Sequence, residues 1–360
     1  MKQKSLLVAV TVAVTALVSV ASPAQPAAPV LPGPTFTVEG ALRGFAAAGS
    51  FVAVAVDCDI FVTTLARGTK PNARRARVRG LPCDDPESEG YAVYDLWLGR
   101  RSLATELVQA EGPHGAEHSV WKGRLPSGPL RLLGEEWGWR DDNPDEPSYG
   151  CARVVVAGGG VVATTEVPNL LGDTTEPTCP SHGTTAIALD GAVRARTTVQ
   201  GSWTLLATDG KRLVLSRLDN QGRPAGQLSL HTLDGKPTTT PRVSPGTVKG
   251  ARIGWLAPEG LVLSTRTGLV GPGWTIRGVS EATVAYGRVL YLRGNALRVR
   301  RIRDGVDRQV LTLPRAVESL VAAGSFGVAV AAQTETEQEE YRTSVYRVAW
   351  RTVDAVLPLR

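Results

Sequence analysis

One local pattern recurs along almost the whole chain: an apolar stretch, a tight turn containing glycine, and a second apolar stretch. Clear copies are YDLWLGRRSLATELV (94–108), WTLLATDGKRLVLSRL (203–218) and TVAYGRVLYLRG (283–294). Two apolar strands joined in this way form a β-hairpin, because glycine adopts the positive φ that such turns need. Beyond the N-terminal segment, no stretch shows the 3.6-residue period of an amphipathic helix. The sequence therefore predicts an all-β chain of consecutive hairpins.

The hairpins are spaced regularly enough to suggest a repeat architecture. One turn glycine can be taken from each of seven hairpins, and these glycines lie about 46 residues apart on average, a spacing close to that of a four-stranded propeller blade. The seven are Gly49, Gly99, Gly159, Gly210, Gly260, Gly287 and Gly324. We therefore expect a single β-propeller over residues 35–360, with seven mostly four-stranded antiparallel blades and six blades as the alternative. The short gap between Gly260 and Gly287 predicts either a blade that lacks a strand or an error in this count.

The two ends of the predicted ring resemble each other. AAGSFVAVAV (47–56) is similar to AAGSFGVAVAA (322–332). A propeller is commonly closed by pairing strands from the two chain ends. TFTVEGAL (35–42) is therefore expected to complete the blade that begins with residues 319–332.

One hairpin carries a more specific motif. LATDGKRLVLS (206–216) resembles the WD40-like propeller repeat of the TolB type, in which an Asp-Gly-Lys turn joins two inner strands of a blade. LAPEGLVLS (256–264) is similar, with Glu259 where aspartate is usual. The Gly-His and Trp-Asp pairs of true WD40 blades are absent. The resemblance implies a blade geometry and leaves the activity open, because propellers host many functions.

The N-terminus has the features of an export signal. Residues 1–24 combine Lys2 and Lys4, an apolar run over 6–20 and small residues up to Ala24, which predicts a secretory signal cleaved after Ala21 or Ala24. An uncleaved anchor is the alternative, but the run is short for a bilayer span. Residues 25–34 are Pro-rich and predict an extended tail. We expect a mature protein without a transmembrane segment, secreted or associated with the cell wall.

Four cysteines follow the predicted signal, and an even number in an exported protein predicts disulfide bonds. They are Cys58, Cys83, Cys151 and Cys179. Sequence-local pairing of the first with the second and of the third with the fourth is one of three connectivities. A zinc site is the alternative, but structural zinc sites use closely spaced cysteine pairs, which this chain lacks.

The charge balance argues against nucleic acid as a partner. The formal charge of +6 becomes +4 once Lys2 and Lys4 are removed with the signal, leaving 38 basic and 34 acidic residues. Such a weak field does not provide the basic surface that phosphate neutralisation needs. The arginine runs at 73–80 and 297–305 alternate between strand faces beside acids such as Asp304 and Asp307, so we interpret them as solvated strand faces.

No recognisable catalytic constellation occurs, and no cofactor or metal site is predicted. HGAEH (114–118) matches the H-x-x-E-H pattern of zinc peptidases, which needs a helix to bring both histidines to one face. Pro113 and Gly115 interrupt such a helix, and the alternating residues that follow predict a loop that enters a strand. His182 and His231 lie singly among turn residues. No G-x-S-x-G nucleophile motif is found.

The most unusual segment spans residues 135–150 and supplies the candidate binding residues. Trp137 and Trp139 could offer a flat surface to a sugar or a peptide cation; the alternative is that they pack beneath a loop tethered by Cys151. Three oxygen-bearing residues follow with the 1, 3, 5 spacing of a calcium loop, but Glu146 and Ala152 occupy positions that need glycine and glutamate. These three are Asp141, Asn143 and Asp145.

Together these features predict a secreted, monomeric, non-enzymatic β-propeller that binds a protein, a peptide or an envelope polymer through one face of the ring. The alternative is a propeller enzyme that acts on carbohydrate as a glycoside hydrolase or lyase. Two carboxylates converging with aromatic residues at the central pore would favour the enzyme. Acids scattered on the rim would favour the binding scaffold.

Overall fold

A computed structural model describes residues 33–65, 76–82, 91–110, 115–132, 137–140, 151–168, 183–190, 194–198, 203–219, 224–279, 281–336 and 340–359. The predicted secretory signal and most of the Pro-rich tail lie outside these residues. Among the described residues, no helix has the length and apolar character needed to cross a bilayer.

The described residues form seven antiparallel sheets, six with four strands and one with five. We call them blades 1 to 7 in chain order. Blade 1 has β2(Leu42–Ala48), β3(Phe51–Val56), β4(Asp59–Thr64) and β5(Ala76–Arg77); blade 2 has β6(Tyr91–Leu98), β7(Ser102–Ala110), β8(Gly115–Arg124), β9(Arg131–Leu132) and β10(Trp137–Arg140); blade 3 has β11(Cys151–Gly158), β12(Val161–Pro168), β13(Gly183–Ala188) and β14(Arg194–Thr198).

The remaining four blades follow the same plan. Blade 4 has β15(Trp203–Thr208), β16(Arg212–Leu218), β17(Pro224–Thr232) and β18(Pro237–Thr238); blade 5 has β19(Ala251–Ala257), β20(Gly260–Thr265), β21(Gly268–Gly271) and β22(Trp274–Arg277); blade 6 has β23(Glu281–Ala285), β24(Arg288–Arg293), β25(Ala296–Arg301) and β26(Asp307–Thr312); blade 7 has β27(Glu318–Gly324), β28(Gly327–Glu335), β29(Tyr341–Val348) and β1(Phe36–Glu39). Two short helices, α1(Pro245–Lys249) and α2(Trp350–Val356), follow blades 4 and 7.

The blades are arranged as a ring around their first strands. The first strands of blades 3 to 7 contact one another in succession, β27 contacts β2, and β2 contacts β6. Blades 2 and 3 meet through a shared apolar cluster that includes Trp97 and Val162. This closed arrangement is a β-propeller, in which the first strand of each blade lines the central channel. The predicted all-β propeller is confirmed.

Strand β1 closes the ring as predicted. It pairs antiparallel with β29, so that Phe36 lies opposite Val345 and Glu39 lies opposite Arg342. The Phe36 and Val345 side chains are buried in the same apolar cluster. The N-terminal strand therefore becomes the fourth strand of a blade whose other three strands come from the C-terminal part.

All seven predicted turn glycines lie at the hairpin between the first and second strands of a blade. The short gap between Gly260 and Gly287 was predicted to mean a missing strand or a wrong count, and neither is the case. Blade 5 has all four strands within residues 251–277. The gap is short because β21 and β22 have only four residues each and the turns before and between them have two residues.

Candidate functional site

The two tryptophans singled out from the sequence lie on the edge strand of a blade. Trp137 and Trp139 are on β10, which is the outermost strand of blade 2 and pairs with β8 opposite His118 and Ala116. The predicted oxygen-bearing residues Asp141, Asn143 and Asp145 lie outside the described residues. The backbone of both tryptophans therefore lies at the opposite edge of blade 2 from β6, the strand that lines the central channel.

The zinc-peptidase pattern is a strand. Residues 115–118 belong to β8, and His114 lies outside the described residues. An extended backbone does not bring residues four apart to one helical face, so the segment lacks the geometry that H-x-x-E-H requires. The strand predicted from residue 119 onward is present, but it begins at Gly115, so the prediction of a loop over residues 115–118 was wrong.

Cys58 is disulfide-bonded. The side chains of Cys83, Cys151 and Cys179 lie outside the described set. Which cysteine pairs with which therefore stays a prediction.

The second arginine run is offset by acids, as predicted, although it is less solvated than expected. Arg298 and Arg300 share the carboxylate of Asp307, at 3.0 and 3.4 Å, and Arg301 pairs with Asp304 at 2.7 Å. The side chains of Arg298 and Arg300 are only 26% and 17% exposed. Three of the four arginines of this run are therefore paired with acids within blade 6, and Arg303 is exposed.

Acidic residues lie on the first strands of blades 2, 6 and 7. Asp95 is on β6, Glu281 begins β23 and Glu318 begins β27. Because each blade starts at the centre, the first strands all begin at the same end of the ring. The ring geometry therefore brings these three acids toward one opening of the channel, although they are far apart in sequence.

Two of these acids have raised pKa values. Burial and, to a smaller extent, the carboxylates of Glu318 and Asp95 together raise the pKa of Glu281 to about 7. The pKa of Asp95 is raised to about 6, chiefly by burial and also by the carboxylate of Glu106, against the hydrogen bond from the Leu96 amide, which lowers it. Two partly buried carboxyls at the channel thus change charge near neutral pH. In the described residues, no group of three or more His, Cys, Asp or Glu side chains is placed to hold a metal.

The first strands of blades 1, 2, 4 and 5 have an irregular register; the irregularity at Tyr94 directly precedes Asp95, and the one in blade 4, at Leu206, carries a buried side chain. The strand register shifts at Arg43 in blade 1, at Tyr94 in blade 2 and at Arg252 in blade 5. Such bulges re-aim side chains and occur often beside functional sites. All three side chains are exposed, Tyr94 to 65%.

These observations define the candidate site. We call it the channel mouth, and it comprises Tyr94, Asp95, Glu281 and Glu318. Sequence reasoning missed it. The one local signal was Asp95, an acid within an otherwise apolar inner strand.

His231 has a partner that the sequence analysis did not find. It lies on β17 and is 8% exposed; Nδ1 lies 3.0 Å from the Gly235 carbonyl oxygen, and Nε2 lies 2.6 Å from Ser229 Oγ. A carbonyl only accepts, so Nδ1 carries the proton and Ser229 donates to Nε2. The imidazole thus ties the turn after β17 to the strand, and the prediction of an isolated turn histidine was wrong.

Comparison with known proteins supports no family assignment. No family model matches the sequence, and no curated protein matches it. Solved structures give only distant likenesses. A chain of the mitotic checkpoint complex is 11% identical with a TM-score of 0.47, over 96% of this chain and 100% of that one.

Two further structures illustrate how varied these likenesses are. Acylaminoacyl peptidase from Pyrococcus horikoshii is 11% identical with a TM-score of 0.43 over 83% of this chain, which spans 50% of the peptidase. Apo AztD from Citrobacter koseri is 14% identical with a TM-score of 0.38, over 79% of this chain and 76% of that one. No activity or site residue is carried over from proteins this distant.

Proposed function

We propose that the protein is an extracytoplasmic binding propeller that takes up a positively charged segment of a protein or peptide at the channel mouth. The observation that carries this proposal is the pair Asp95 and Glu281. Their carboxyls are partly buried, the charge of Asp95 contributes to the raised pKa of Glu281, and within the described residues neither forms an ion pair. Burying carboxylates without a counter-charge is unfavourable, so a ligand cation would relieve a cost already present in the free protein.

The surroundings of the two carboxyls support this proposal. Tyr94 is next to Asp95 and presents an exposed aromatic ring, which can pack against a lysine or arginine side chain. The acids lie on first strands that are held on both sides by neighbouring blades. A site on rigid strands loses little conformational entropy when it binds.

The export signal that the sequence predicts over residues 1–24 supports binding outside the cytoplasm, where a partner would be an envelope or secreted protein. We further propose that the monomeric chain is related to the TolB-type WD40-like propellers. The turn of blade 4 supports this relationship, because the Asp209 carboxylate accepts hydrogen bonds from the Lys211 and Arg212 amides at 2.9 and 2.7 Å. In an Asp-Gly-Lys turn the aspartate stabilises the turn in this way, by accepting hydrogen bonds from the backbone amides that follow it.

A carbohydrate-active enzyme is the second candidate. Glycoside hydrolysis uses two carboxyls, one of which must stay protonated near neutral pH, and Glu281 meets that condition. The position of the aromatic residues counts against it, since Trp137 and Trp139 lie on the outermost strand of blade 2. We therefore rank binding first.

The test uses short peptides of defined charge. The mature protein is titrated by calorimetry with oligolysine, oligoglutamate and a neutral Gly-Ser peptide. Oligolysine is expected to bind at pH 8, where both carboxyls are ionised, and to bind more weakly at pH 5. Asp95→Asn and Glu281→Gln should each weaken binding by about tenfold or more.

Glu335→Gln is the matched control, because Glu335 is an exposed acid at the end of β28 in blade 7. Equal binding of all three peptides, or unchanged binding by the channel variants, would overturn the proposal. Hydrolysis of an oligosaccharide that is lost in Glu281→Gln would favour the enzyme instead.

A further inference from the structure

One exposed aromatic residue has an unfavourable backbone conformation. Tyr286 has a φ of +50° and Gly287 a φ of +68°, so both residues of the turn between β23 and β24 are left-handed. Such turns favour Asn, Asp or Gly, because positive φ brings a larger side chain's Cβ close to the following carbonyl oxygen. The Tyr286 side chain is also 58% exposed. Neither backbone preference nor burial therefore accounts for a tyrosine at this position.

A second aromatic ring lies against Tyr286. The centroid of the Trp350 ring is 5.1 Å from that of the Tyr286 ring, and the two planes meet at 86°. The Trp350 indole nitrogen donates to the Gly324 carbonyl at 2.9 Å, which fixes the orientation of the ring, and Trp350 is only partly buried. We call this pair the aromatic corner. It is a fixed, partly exposed aromatic surface at the junction of blades 6 and 7.

The aromatic corner lies at the end of the ring opposite the channel mouth. Each first strand runs from the mouth to its hairpin turn, and Tyr286 occupies that turn in blade 6. The chain enters blade 7 at the same end, since β1 is antiparallel to β29 and the Thr35 amide donates to the Val345 carbonyl at 2.7 Å. Trp350 follows shortly after β29. The segment that precedes Thr35 therefore joins the ring at the end that carries the corner.

That segment is long enough to reach the corner. Strand β1 is the outermost strand of blade 7, whereas β27, which ends at Gly324, is the innermost. Three strand spacings of about 4.8 Å separate them, or about 14 Å. A polyproline II helix rises about 3.1 Å per residue, so about five residues cover this distance. Residues 25–34 provide about twice as many, and 25–32 lie outside the described residues.

The composition of residues 25–34, QPAAPVLPGP, suits an aromatic surface. Four of these ten residues are proline and none is charged. Proline-rich segments favour the polyproline II form and bind against aromatic side chains, and they lose little conformational entropy because this form is already populated. Attachment to blade 7 also gives the segment a high effective concentration at the corner. The chain thus carries an occupant of fitting chemistry within reach.

We propose that the Pro-rich segment 25–34 docks on the aromatic corner of the same chain, with proline rings against Tyr286 and Trp350. The strained tyrosine then has a role that asparagine or glycine could not fill. The docked segment lies at the opposite end of the ring from the channel mouth, so this interaction is independent of the proposed ligand site.

A thermodynamic cycle in the mature chain, residues 25–360, tests the docking. One change replaces residues 25–32 with Gly-Ser repeats, and the other is Tyr286→Asn, which removes the ring but suits the left-handed turn. The tail replacement should lower the urea midpoint of the wild type and leave that of Tyr286→Asn unchanged. Tyr341→Asn is the matched control, because Tyr341 is 38% exposed at the other end of blade 7. In that background the tail replacement should keep its effect.

The segment supplied as a separate peptide gives a second measurement. By calorimetry, QPAAPVLPGP should bind the chain with the Gly-Ser tail, and about tenfold more weakly or not at all the chain whose own tail occupies the corner. Adding Tyr286→Asn to the Gly-Ser chain should weaken binding by about tenfold. A peptide with serine in place of each proline should not bind.

Two results would overturn the proposal. One is a tail replacement with the same effect in the wild type and in Tyr286→Asn, and the other is a peptide that does not distinguish the chains with the two tails. Sedimentation adds a third criterion: a wild-type dimer that dissociates in the Gly-Ser variant would place the segment on a second copy and overturn docking within one chain.

Discussion

The backbone amide of Leu42 donates a hydrogen bond to the side-chain oxygen of Gln333 at 2.5 Å. Leu42 begins the first strand of blade 1, whereas Gln333 lies on the second strand of blade 7, and both residues are buried. The ring is therefore closed by the pairing of β1 with β29 and by direct contacts between the first and last blades, of which this hydrogen bond is one.

Replacing Gln333 with leucine should destabilise the protein by about 1–3 kcal/mol, because it leaves the buried Leu42 amide without an acceptor. Urea denaturation measures this loss. Gln227→Leu is the control: Gln227 is exposed on β17, and the change should stay within about 0.5 kcal/mol. Equal midpoints for the two variants would show that the bond does not help to close the ring.

Gly159 and Gly160 are neighbours in one turn but should respond very differently to alanine. Both have positive φ, +57° and +78°. A Cβ on Gly159 would lie 1.9 Å from the Asp209 carbonyl oxygen in the adjacent blade, whereas nothing lies within 4 Å of a Cβ on Gly160. Gly160→Ala should cost about 1–2 kcal/mol from backbone strain alone. Gly159→Ala should cost clearly more, and similar urea midpoints for the two would contradict the close contact between the turns.

Much of the ring could be predicted because local patterns recur at corresponding positions. The two AAGSF segments are an example. Gly49 and Ser325 occupy the equivalent turns of blades 1 and 7, and the Ser325 amide donates to the Gly49 carbonyl at 2.7 Å. A repeated hairpin sequence thus indicated a repeated structural position, and the chain ends could be assigned to neighbouring blades.

The candidate sites could not be predicted in the same way. Asp95 and Glu281 come from blades 2 and 6, which are separated in the ring by blades 1 and 7, and nothing in the sequence around either residue links the two. The alternation of apolar and polar residues indicates which face of a strand is buried, but it does not indicate which acids from different blades line the same channel.

Arg288 and Asp354 should be energetically coupled. The Arg288 side chain is 1% exposed and donates to Asp354 of α2 at 2.6 Å, and its guanidinium lies 5.8 Å from the centre of the Trp350 ring. Asp354→Asn removes the counter-charge of a buried cation. Because Asp354 is itself 48% exposed, we expect a moderate loss of about 1–2 kcal/mol.

A double-mutant cycle with Arg288→Met tests this coupling. In the Arg288→Met background there is no buried cation to neutralise, so Asp354→Asn should cost little there. Urea denaturation of the four proteins gives the interaction energy. An equal cost of Asp354→Asn in both backgrounds would show that the ion pair does not help to dock α2.

The stability of the protein should depend on pH through Glu281. Its pKa is raised from 4.5 to about 7, so the folded state holds this proton more tightly than the unfolded chain does. The stabilising contribution is complete below pH 4.5 and is lost as the pH rises through about 7. The Glu281→Gln variant cannot lose this proton. Relative to wild type, it should therefore become more stable as the pH rises over this range, by at most about 3 kcal/mol.

Comparing the two proteins at each pH isolates this effect. At Asp190 and Asp209 burial is outweighed by hydrogen bonds that lower the pKa, so these residues give a pH dependence of the opposite sign, but they are present in both proteins and cancel in the difference. Urea midpoints between pH 4 and pH 8 supply the measurement, with Glu335→Gln as a control whose difference from wild type should stay flat. If the difference for Glu281→Gln were also flat, the pKa of Glu281 would be the same in the folded and unfolded states, and the channel mouth would lack a neutral carboxyl near neutral pH.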